Sequence, residues 1–564
     1  MGKWVGFVTN CLQLKKSNCK NCYKCIRNCP VKSIKFSDNQ AHIVKEECIL
    51  CGRCFVACPQ NAKEIRNDVD KVKTLISSGK TVIASVAPSF VANYSGISME
   101  GMKKALKKLG FSRAEETAIG ATIVKKRYEQ LIEKGEDNII ISSCCHSVNM
   151  LIEKYYPEFI PYLAKVLSPM QAHGVKIRED NPEASVVFIG PCISKKDEAE
   201  KSKGIIDYVL TFEELEGWLR EEKIEIEIED VISEEGRARS FPTSGGIIAS
   251  MDLNENFNYV SIDGMDNCIN AMEDISKGKI NNCFIEMSAC TGSCIGGPVM
   301  NREFHNPVSD FIAVKKYAGK KDFNVVLENE ALLEKSFNFD RVSKAMPGSK
   351  AIEEILRKMG KVSKEKELNC GSCGYNTCRD KAVAVFMGKA DLTMCLPYLK
   401  EKAESFSDII INNTPNGIIV MNEDLEIQQI NPQALKILGI RNKKDIIHGP
   451  IIRILDPTDY VLIQTEDKAV YEKLKYLAEY KKYVEETVVY DKEYHLIMSI
   501  IKDVTEEQEI RQLKENQNKQ TIEITDKVIE KQMRVVQEIA SLLGETTAET
   551  KIALTKLKET LSNE

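Results

Sequence analysis

Short apolar runs at 81–86, 138–141 and 185–189 are separated by stretches, such as 102–109 and 121–134, whose apolar residues recur at helical spacing. Runs without polar alternation read as strands buried on both faces. Strands that alternate with helices predict a parallel α/β architecture. Further on the pattern changes. Residues 417–421 and 426–430 read as a strand hairpin, 431–439 opens a short helix, and strands recur near 483–490 and 494–501. From about residue 506 the chain is charged and helical. Ile522, Ile529, Val536, Leu543 and Leu557 fall on sevens, with a second seam through Met533, Ala540 and Leu554. This predicts a coiled coil or partner-docking helix, interrupted at Gly544 and its threonine neighbours. The alternative is one amphipathic helix lying back on the preceding domain.

At 564 residues the chain exceeds what one core can organise. Segments 1–75, 76–355, 356–403, 404–510 and 511–564 are expected as separate parts. A net charge of -5 gives no electrostatic case for nucleic acid or an anionic membrane. No apolar run reaches the roughly 18 residues that span a bilayer. The stretch Met1-Gly2-Lys3-Trp4-Val5-Gly6 lacks a signal-peptide core and has Gly6 where a myristoylation motif needs Ser or Thr. The expectation is a soluble, cytoplasmic protein.

Twenty cysteines sharpen this picture. They are grouped tightly, which in a reducing compartment points to metal rather than to disulfides. Cys19, Cys22, Cys25 and Cys29-Pro30, then Cys48, Cys51, Cys54 and Cys58-Pro59, each make the C-x2-C-x2-C-x3-C-P run of a two-cluster bacterial ferredoxin. The fourth cysteine of such a run crosses over. One [4Fe–4S] cluster is therefore expected on Cys19, Cys22, Cys25 and Cys58, the other on Cys48, Cys51, Cys54 and Cys29. Cys11 lies outside the pattern and reads as a packed or free thiol.

Three more stretches carry paired or isolated thiols: Ser143-Cys144-Cys145, Gly190-Pro191-Cys192-Ile193-Ser194-Lys195-Lys196-Asp197-Glu198, and Ala289-Cys290-Thr291-Gly292-Ser293-Cys294. Cys145 and Cys192 directly follow predicted strands, where ligand sites of α/β sheets collect. In order and spacing these stretches resemble the cysteine signatures of the iron-only ([FeFe]) hydrogenases, over roughly residues 80 to 315. The resemblance implies an H-cluster, a [4Fe–4S] cubane joined to a diiron subsite with CO, CN and dithiolate ligands. Cys145, Cys192, Cys290 and Cys294 match its four ligands, with Cys294 shared between the two parts. Cys144 matches the proton-passing thiol, and Lys195 the lysine that hydrogen-bonds a cyanide. Glu198 falls at the family's acidic position and is expected to hold that lysine. Val86-Ala87-Pro88-Ser89 and Phe241-Pro242-Thr243-Ser244-Gly245-Gly246 look like family loops around the cluster. Taken singly, Cys144 could equally be an inert thiol and Lys195 a surface lysine; Cys268 and Cys283 match nothing and are expected to be buried.

The departures from the family are equally specific. His146-Ser147-Val148 replaces its Pro and aromatic. Gly190 and Ser288 replace methionines that flank the diiron site, and Gly296-Gly297-Pro298 shortens its glycine run. The family's proton-pathway carboxylates would fall near Val124 and Arg127, neither of which can relay a proton as a carboxylate does. His146 has suitable chemistry to substitute; the alternative is a structural histidine. These changes resemble the divergent, sensory branch of the family.

Beyond this domain, Cys370, Cys373, Cys378 and Cys395 resemble the small single [4Fe–4S] domain found beside sensory modules, with zinc as the alternative. The hairpin at 417–430, the strand-to-helix Asn431 and the terminal Asp503-Val504-Thr505 resemble a PAS domain. Its ligand is unknown, and no cysteine follows residue 405 to attach one covalently. No histidine follows His495, so the C-terminal helix cannot be a histidine phosphoacceptor.

The fold expected is thus multidomain: a ferredoxin-like two-cluster α+β module, an α/β H-cluster domain, a small [4Fe–4S] domain, an α+β PAS domain and a C-terminal helix or coiled coil. The function expected is that of a sensory [FeFe]-hydrogenase of low turnover, oxidising H2 reversibly to protons and electrons. Three further [4Fe–4S] clusters would carry electrons, with a ferredoxin-type protein as an external electron partner. The PAS–coil end of a homodimer would report to a downstream signalling protein. Two alternatives stand: a noncatalytic iron–sulfur sensor or scaffold without the diiron subsite, and a metabolic hydrogenase with a regulatory tail.

Overall fold

The paired cysteine runs fold around two one-turn helices, Lys24–Asn28 and Arg53–Val56. The computed structural model describes residues 11–562 apart from 16–17, 203, 229–233, 302–305, 341, 343–345, 466–469 and 544–547. Four short strands, β1 (Leu12–Leu14), β2 (Ile34–Ser37), β3 (Gln40–Ile43) and β4 (Lys63–Ile65), pair antiparallel as β1 with β4 and β2 with β3. Each one-turn helix is preceded by a residue in left-handed conformation, Tyr23 and Gly52. Cys11 is fully buried in this module, as a packed thiol.

The next strands are β5 (Val82–Val86), β6 (Arg113–Glu116), β7 (Ile139–Ile141), β8 (Ser185–Gly190), β9 (Tyr208–Thr211), β10 (Asn258–Asp263) and β11 (Cys283–Ser288). They form two sheets, in the orders β6-β5-β8-β9 and β10-β11-β7, and every pairing is parallel. Every residue of β5, β7, β8 and β11 is buried, which is why these segments show no polar alternation. Helices Ala118–Lys134 and Pro169–Asp180 pack against each other. One apolar core runs from Cys11, Ile26 and Leu50 through Ile141, Leu151 and Met287 to Tyr375 and Met394. The ferredoxin-like module, the three-stranded sheet and the segment around Cys373 therefore share an interior.

Residues 399–564 form a second compact unit, distinct from residues 1–398. Strands β12 (Gly417–Asn422), β13 (Ile427–Ile430), β14 (Val470–Leu477), β15 (Lys482–Asp491) and β16 (Leu496–Asp503) make an antiparallel sheet in the order β13-β12-β16-β15-β14. Asn431 locks the first turn. Its Oδ1 accepts from Ile418 N and Ala434 N, both at 2.8 Å, and its Nδ2 donates to Ile411 O and Asn416 O. Asp503 and Thr505 close the sheet: the Thr505 hydroxyl donates to Asp503 at 2.6 Å and accepts from Tyr483 N at 3.1 Å.

The C-terminal end departs from a single continuous seam. Helix Thr505–Leu543 is followed by Ala548–Ser562, which folds back onto it and pairs Lys558 with Asp526 at 3.0 Å. The expected interruption at Gly544 and its threonines lies outside the described residues.

Candidate active site

Three parallel strands deliver the expected ligand cysteines. β7 leads into Cys144-Cys145, β8 into Cys192, and β11 into Cys290 and the turn Ser293–Gly296 that carries Cys294. All lie at carboxyl ends of strands. Cys145, Cys192, Cys290 and Cys294 line one cavity of about 30 Å³, walled otherwise by small or apolar residues. A neighbouring cavity of about 100 Å³ is also lined by Cys145, Cys192 and Cys294, and adds Cys144, Lys195 and Glu286. Cys290 touches only the first cavity, and Cys144 only the second. The thiols surround spaces rather than a point. Among the described residues no three metal-ligating side chains close on a single ion.

The charged groups around the second cavity are paired. Lys195 Nζ donates to the Cys144 carbonyl at 3.0 Å and forms an ion pair with Glu198. Glu198 also receives Lys335 Nζ at 2.7 Å and the Ser168 hydroxyl at 3.1 Å. Burial works against charge on both groups. For Lys195, Glu198 and then the Cys192 thiol outweigh it and raise its pKa; for Glu198, Lys195 and Lys335 hold the carboxyl far below the usual range. Cys144 behaves differently. Burial pushes its thiol up to about 12, although Tyr128 and Lys195 pull the other way, so it is a neutral S–H that can donate.

Two residues that the sequence motifs did not single out complete the site. Tyr128 Oη lies 3.2 Å from Cys144 Sγ and 3.1 Å from Ser143 Oγ, and Ser143 Oγ donates to the Val166 carbonyl at 2.7 Å. Glu286, on β11, accepts from Gly245 N and Ile247 N at 3.0 Å and Ile248 N at 3.1 Å, which ties the 241–246 loop to the sheet. Burial lifts its carboxyl to about 7 against those hydrogen bonds. An acid inside the apolar run Phe284-Ile285-Glu286-Met287 is the sequence signal that could have flagged it. Val124 is buried in the core, and Arg127 bonds Gln130 at 2.9 Å. His146 is buried with Nε2 2.7 Å from Asp197, and lines neither cavity. Cys268 and Cys283 are both buried.

Among the ferredoxin-type thiols, Cys29 shares an electrostatic neighbourhood with Cys48, Cys51 and Cys54. Cys25 stands with Cys19 and Cys22, and Cys58 accepts from Ala62 N at 3.3 Å. Cys51 also lines the small four-thiol cavity. Next to it a Cβ on Gly52, at φ +73°, would lie 2.5 Å from Pro298, so glycine is required for this approach. Around the last cysteine set, Cys373, Cys378 and Cys395 are half-buried or buried, and Cys370 is exposed. This segment docks on the ferredoxin-like module. Arg27 donates to Gly371 O and Ser372 O at 3.3 Å, Lys32 to Gly374 O at 3.1 Å, and Lys389 pairs with Glu47.

Comparison with known families agrees with this geometry. Residues 80–298 match the model "Iron only hydrogenase large subunit, C-terminal domain". This stretch is therefore similar to the iron-only hydrogenases. Flanking this hydrogenase domain, residues 11–59 match a 4Fe-4S dicluster domain, 367–397 an Fe-S cluster model and 405–471 a PAS domain. Iron hydrogenase 1 of Clostridium pasteurianum is 26% identical over 306 residues, 42% of this chain and 53% of that protein. The chain therefore spans about half the length of this relative. The periplasmic [Fe] hydrogenase large subunit of Nitratidesulfovibrio vulgaris is 26% identical over 387 residues, 55% of this chain and 91% of that one. The cytosolic Fe-S cluster assembly factor NAR1 of Candida dubliniensis is 26% identical over 198 residues, 28% of this chain and 34% of that one. Soft thiolates lining a mostly apolar pair of neighbouring cavities fit an iron–sulfur group with an adjoining subsite, so residues 80–298 include side chains suited to an H-cluster. Among the described residues no helix is long and apolar enough to cross a membrane.

Proposed function

We propose that this chain is a sensory [FeFe]-hydrogenase that interconverts H2 with two protons and two electrons. The observation that carries the reading is the second cavity, where Cys144 and Lys195 face the space beside three of the four candidate ligand thiols. Cys145, Cys192, Cys290 and Cys294 would hold the H-cluster, which supplies the iron at which hydrogen is split and electrons are stored. Lys195, fixed by Glu198, presents a buried positive charge to that cavity, suited to an anionic ligand. Cys144 holds a proton at Sγ beside the cavity. Tyr128 and Ser143 orient the thiol, and the hydrogen-bonded path from them ends on the Val166 carbonyl, which has no proton to pass on. A path that ends on a carbonyl accords with low turnover, and low turnover accords with sensing.

Electrons would leave past Cys51 to the cluster on Cys29, Cys48, Cys51 and Cys54, then reach the clusters on Cys19, Cys22, Cys25 and Cys58 and on Cys370, Cys373, Cys378 and Cys395. Cytoplasmic location, a ferredoxin-type electron partner and a downstream signalling protein belong to the same reading. So does a homodimer: exposed Ile524, Val528, Val535 and Ile539 lie in one stripe along helix Thr505–Leu543, suited to a second copy of the same helix.

The alternative, a noncatalytic iron–sulfur sensor, is favoured by one observation: among the described residues the path from Cys144 through Tyr128 and Ser143 ends on the Val166 carbonyl rather than on a carboxylate. Infrared spectroscopy on anaerobic protein supplied with the diiron precursor separates the two. Carbonyl and cyanide bands that shift reversibly under H2 are expected. Their absence after maturation would leave only the iron–sulfur switch.

A further inference from the structure

Three lysines in the described structure are only 1% exposed: Lys125, Lys196 and Lys381. Lysine is almost never fully buried without a counter-charge, because removing an ammonium from water costs several kcal/mol. Lys125 has Asp322 at 2.6 Å. Lys196 has Asp68 and Glu214, both at 2.9 Å. Lys381 has no carboxylate within ion-pairing distance among the described residues. Its ammonium donates to the Asp391 backbone carbonyl and stands 5.8 Å from the centre of the Tyr375 ring. Neither supplies a full negative charge.

The remaining electrostatic neighbours are two cysteines and, behind them, the Asp391 carboxylate, which lies beyond ion-pairing distance. Lys381 lies three residues after Cys378 on helix Cys378–Phe386, and so on the same helical face, while Cys373 and Cys395 are its foremost electrostatic partners. Two thiols of this set thus act on the buried ammonium, and a third shares its helical face. We infer that Lys381 is the fixed counter-cation of the cluster held by Cys370, Cys373, Cys378 and Cys395, and raises that cluster's reduction potential. This rests on the reading that those cysteines hold an iron–sulfur cluster.

The physical argument is electrostatic. A thiolate-ligated cluster is anionic in both oxidation states, and reduction adds a further negative charge inside a low-dielectric shell. A positive charge locked beside it stabilises the reduced form more than the oxidised form, and net charge and burial are among the terms that set such potentials. The other basic groups nearby leave this role to Lys381: Arg379 is paired with Glu367 at 3.1 Å, and Lys361 bears on the rim thiol Cys370. With its potential raised, this cluster becomes the place where electrons released at the hydrogenase domain come to rest.

The test is a redox titration of the full chain, reconstituted with iron and sulfide and followed by electron paramagnetic resonance. Cys378→Ala identifies the reduced-state signal of this cluster. Lys381→Met and Lys381→Gln are expected to lower its reduced-to-oxidised ratio at fixed potential about tenfold, which is about 59 mV for a one-electron couple. Lys381→Arg should stay within about threefold of the parent, since the charge is kept. Cluster loss in both neutral variants but not in Lys381→Arg would also support the inference, showing that assembly needs the charge. Neutral variants that titrate like the parent, a shift in Lys381→Met but not in Lys381→Gln, or cluster loss in all three variants would overturn it. If the parent has no signal that Cys378→Ala removes, the cluster reading itself fails, an outcome distinct from a cluster that titrates unmoved.

Discussion

At the scale of single residues, Cys144 is the decisive side chain. Its thiol faces the second cavity as a neutral donor in contact with Tyr128. Cys144→Ala should lower hydrogen turnover about 10²- to 10⁴-fold, the usual share of a positioned proton donor, while iron content and the infrared bands persist. Unchanged turnover would make Cys144 a packed thiol. Which residues could be read in advance follows from how they signal. The cysteines stand out because a ligand set repeats at fixed spacing, and Lys195 and Glu198 because they follow Cys192 at family offsets. Tyr128 and Glu286 carry no spacing signal. One is an aromatic on an amphipathic helix, the other an acid in an apolar strand, and only the three-dimensional approach of β7 and the 241–246 loop gives them a role. Lys381 likewise sits in a charged run, Arg379-Asp380-Lys381, that reads as a solvated helix face until the fold buries it.

At the scale of elements, β5, β7 and β8 were legible because they are covered on both faces and admit few polar residues. β14 was not. Its sequence Val-Tyr-Glu-Lys-Leu-Lys-Tyr-Leu mixes charges with exposed Leu474 and Tyr476, as suits an edge strand. The joint between the dicluster module and the α/β domain depends on Asp68, which pairs with Arg66, Lys71 and Lys196, while its backbone N–H donates to Glu214 at 2.7 Å. Burial alone would raise this carboxyl, but Arg66 and then Lys196 bring it down to about 2. A carboxyl whose pKa is depressed on folding stabilises above its unfolded pKa of about 3.9 and loses that contribution as pH falls toward 2. Between pH 5 and pH 2 the parent should lose on the order of 2 kcal/mol through this group. Urea unfolding followed by tryptophan fluorescence, to which buried Trp218 contributes, should show Asp68→Asn already destabilised at pH 7 and less sensitive to acid over that window. Equal acid sensitivity in both proteins would remove Asp68 from the account. At the other joint, Gly52→Val should push the Cys51 loop off Pro298, because both the left-handed backbone and the 2.5 Å approach exclude a side chain. The expected result is a ferredoxin cluster that still assembles but is reduced by H2 more slowly in stopped-flow absorption; parent-like reduction would show that electrons do not pass by Cys51.

At the scale of the whole molecule, the cores divide as the compact units do. The candidate cluster cysteines and the apolar cores around them lie within residues 1–398, whereas the PAS core, from Ile419 and Met421 through Tyr460 to Ile501, lies wholly within the second unit. A unit that buries its own apolar surface does not depend on another for folding. A chain ending at Asn413, the last residue of helix Leu396–Asn413, should therefore keep its iron content and its infrared response to H2. What it should lose is self-association. If the stripe of Ile524, Val528, Val535 and Ile539 pairs two copies, light scattering should give a dimer for the full chain, and a monomer both for the shortened chain and for full chain carrying Val528→Asp with Val535→Asp. A shortened chain that remains dimeric would move the interface to the cluster-bearing unit. A loss of the infrared bands on shortening would mean that hydrogen chemistry and the PAS end fold as one, and would count against a sensor with a separable output.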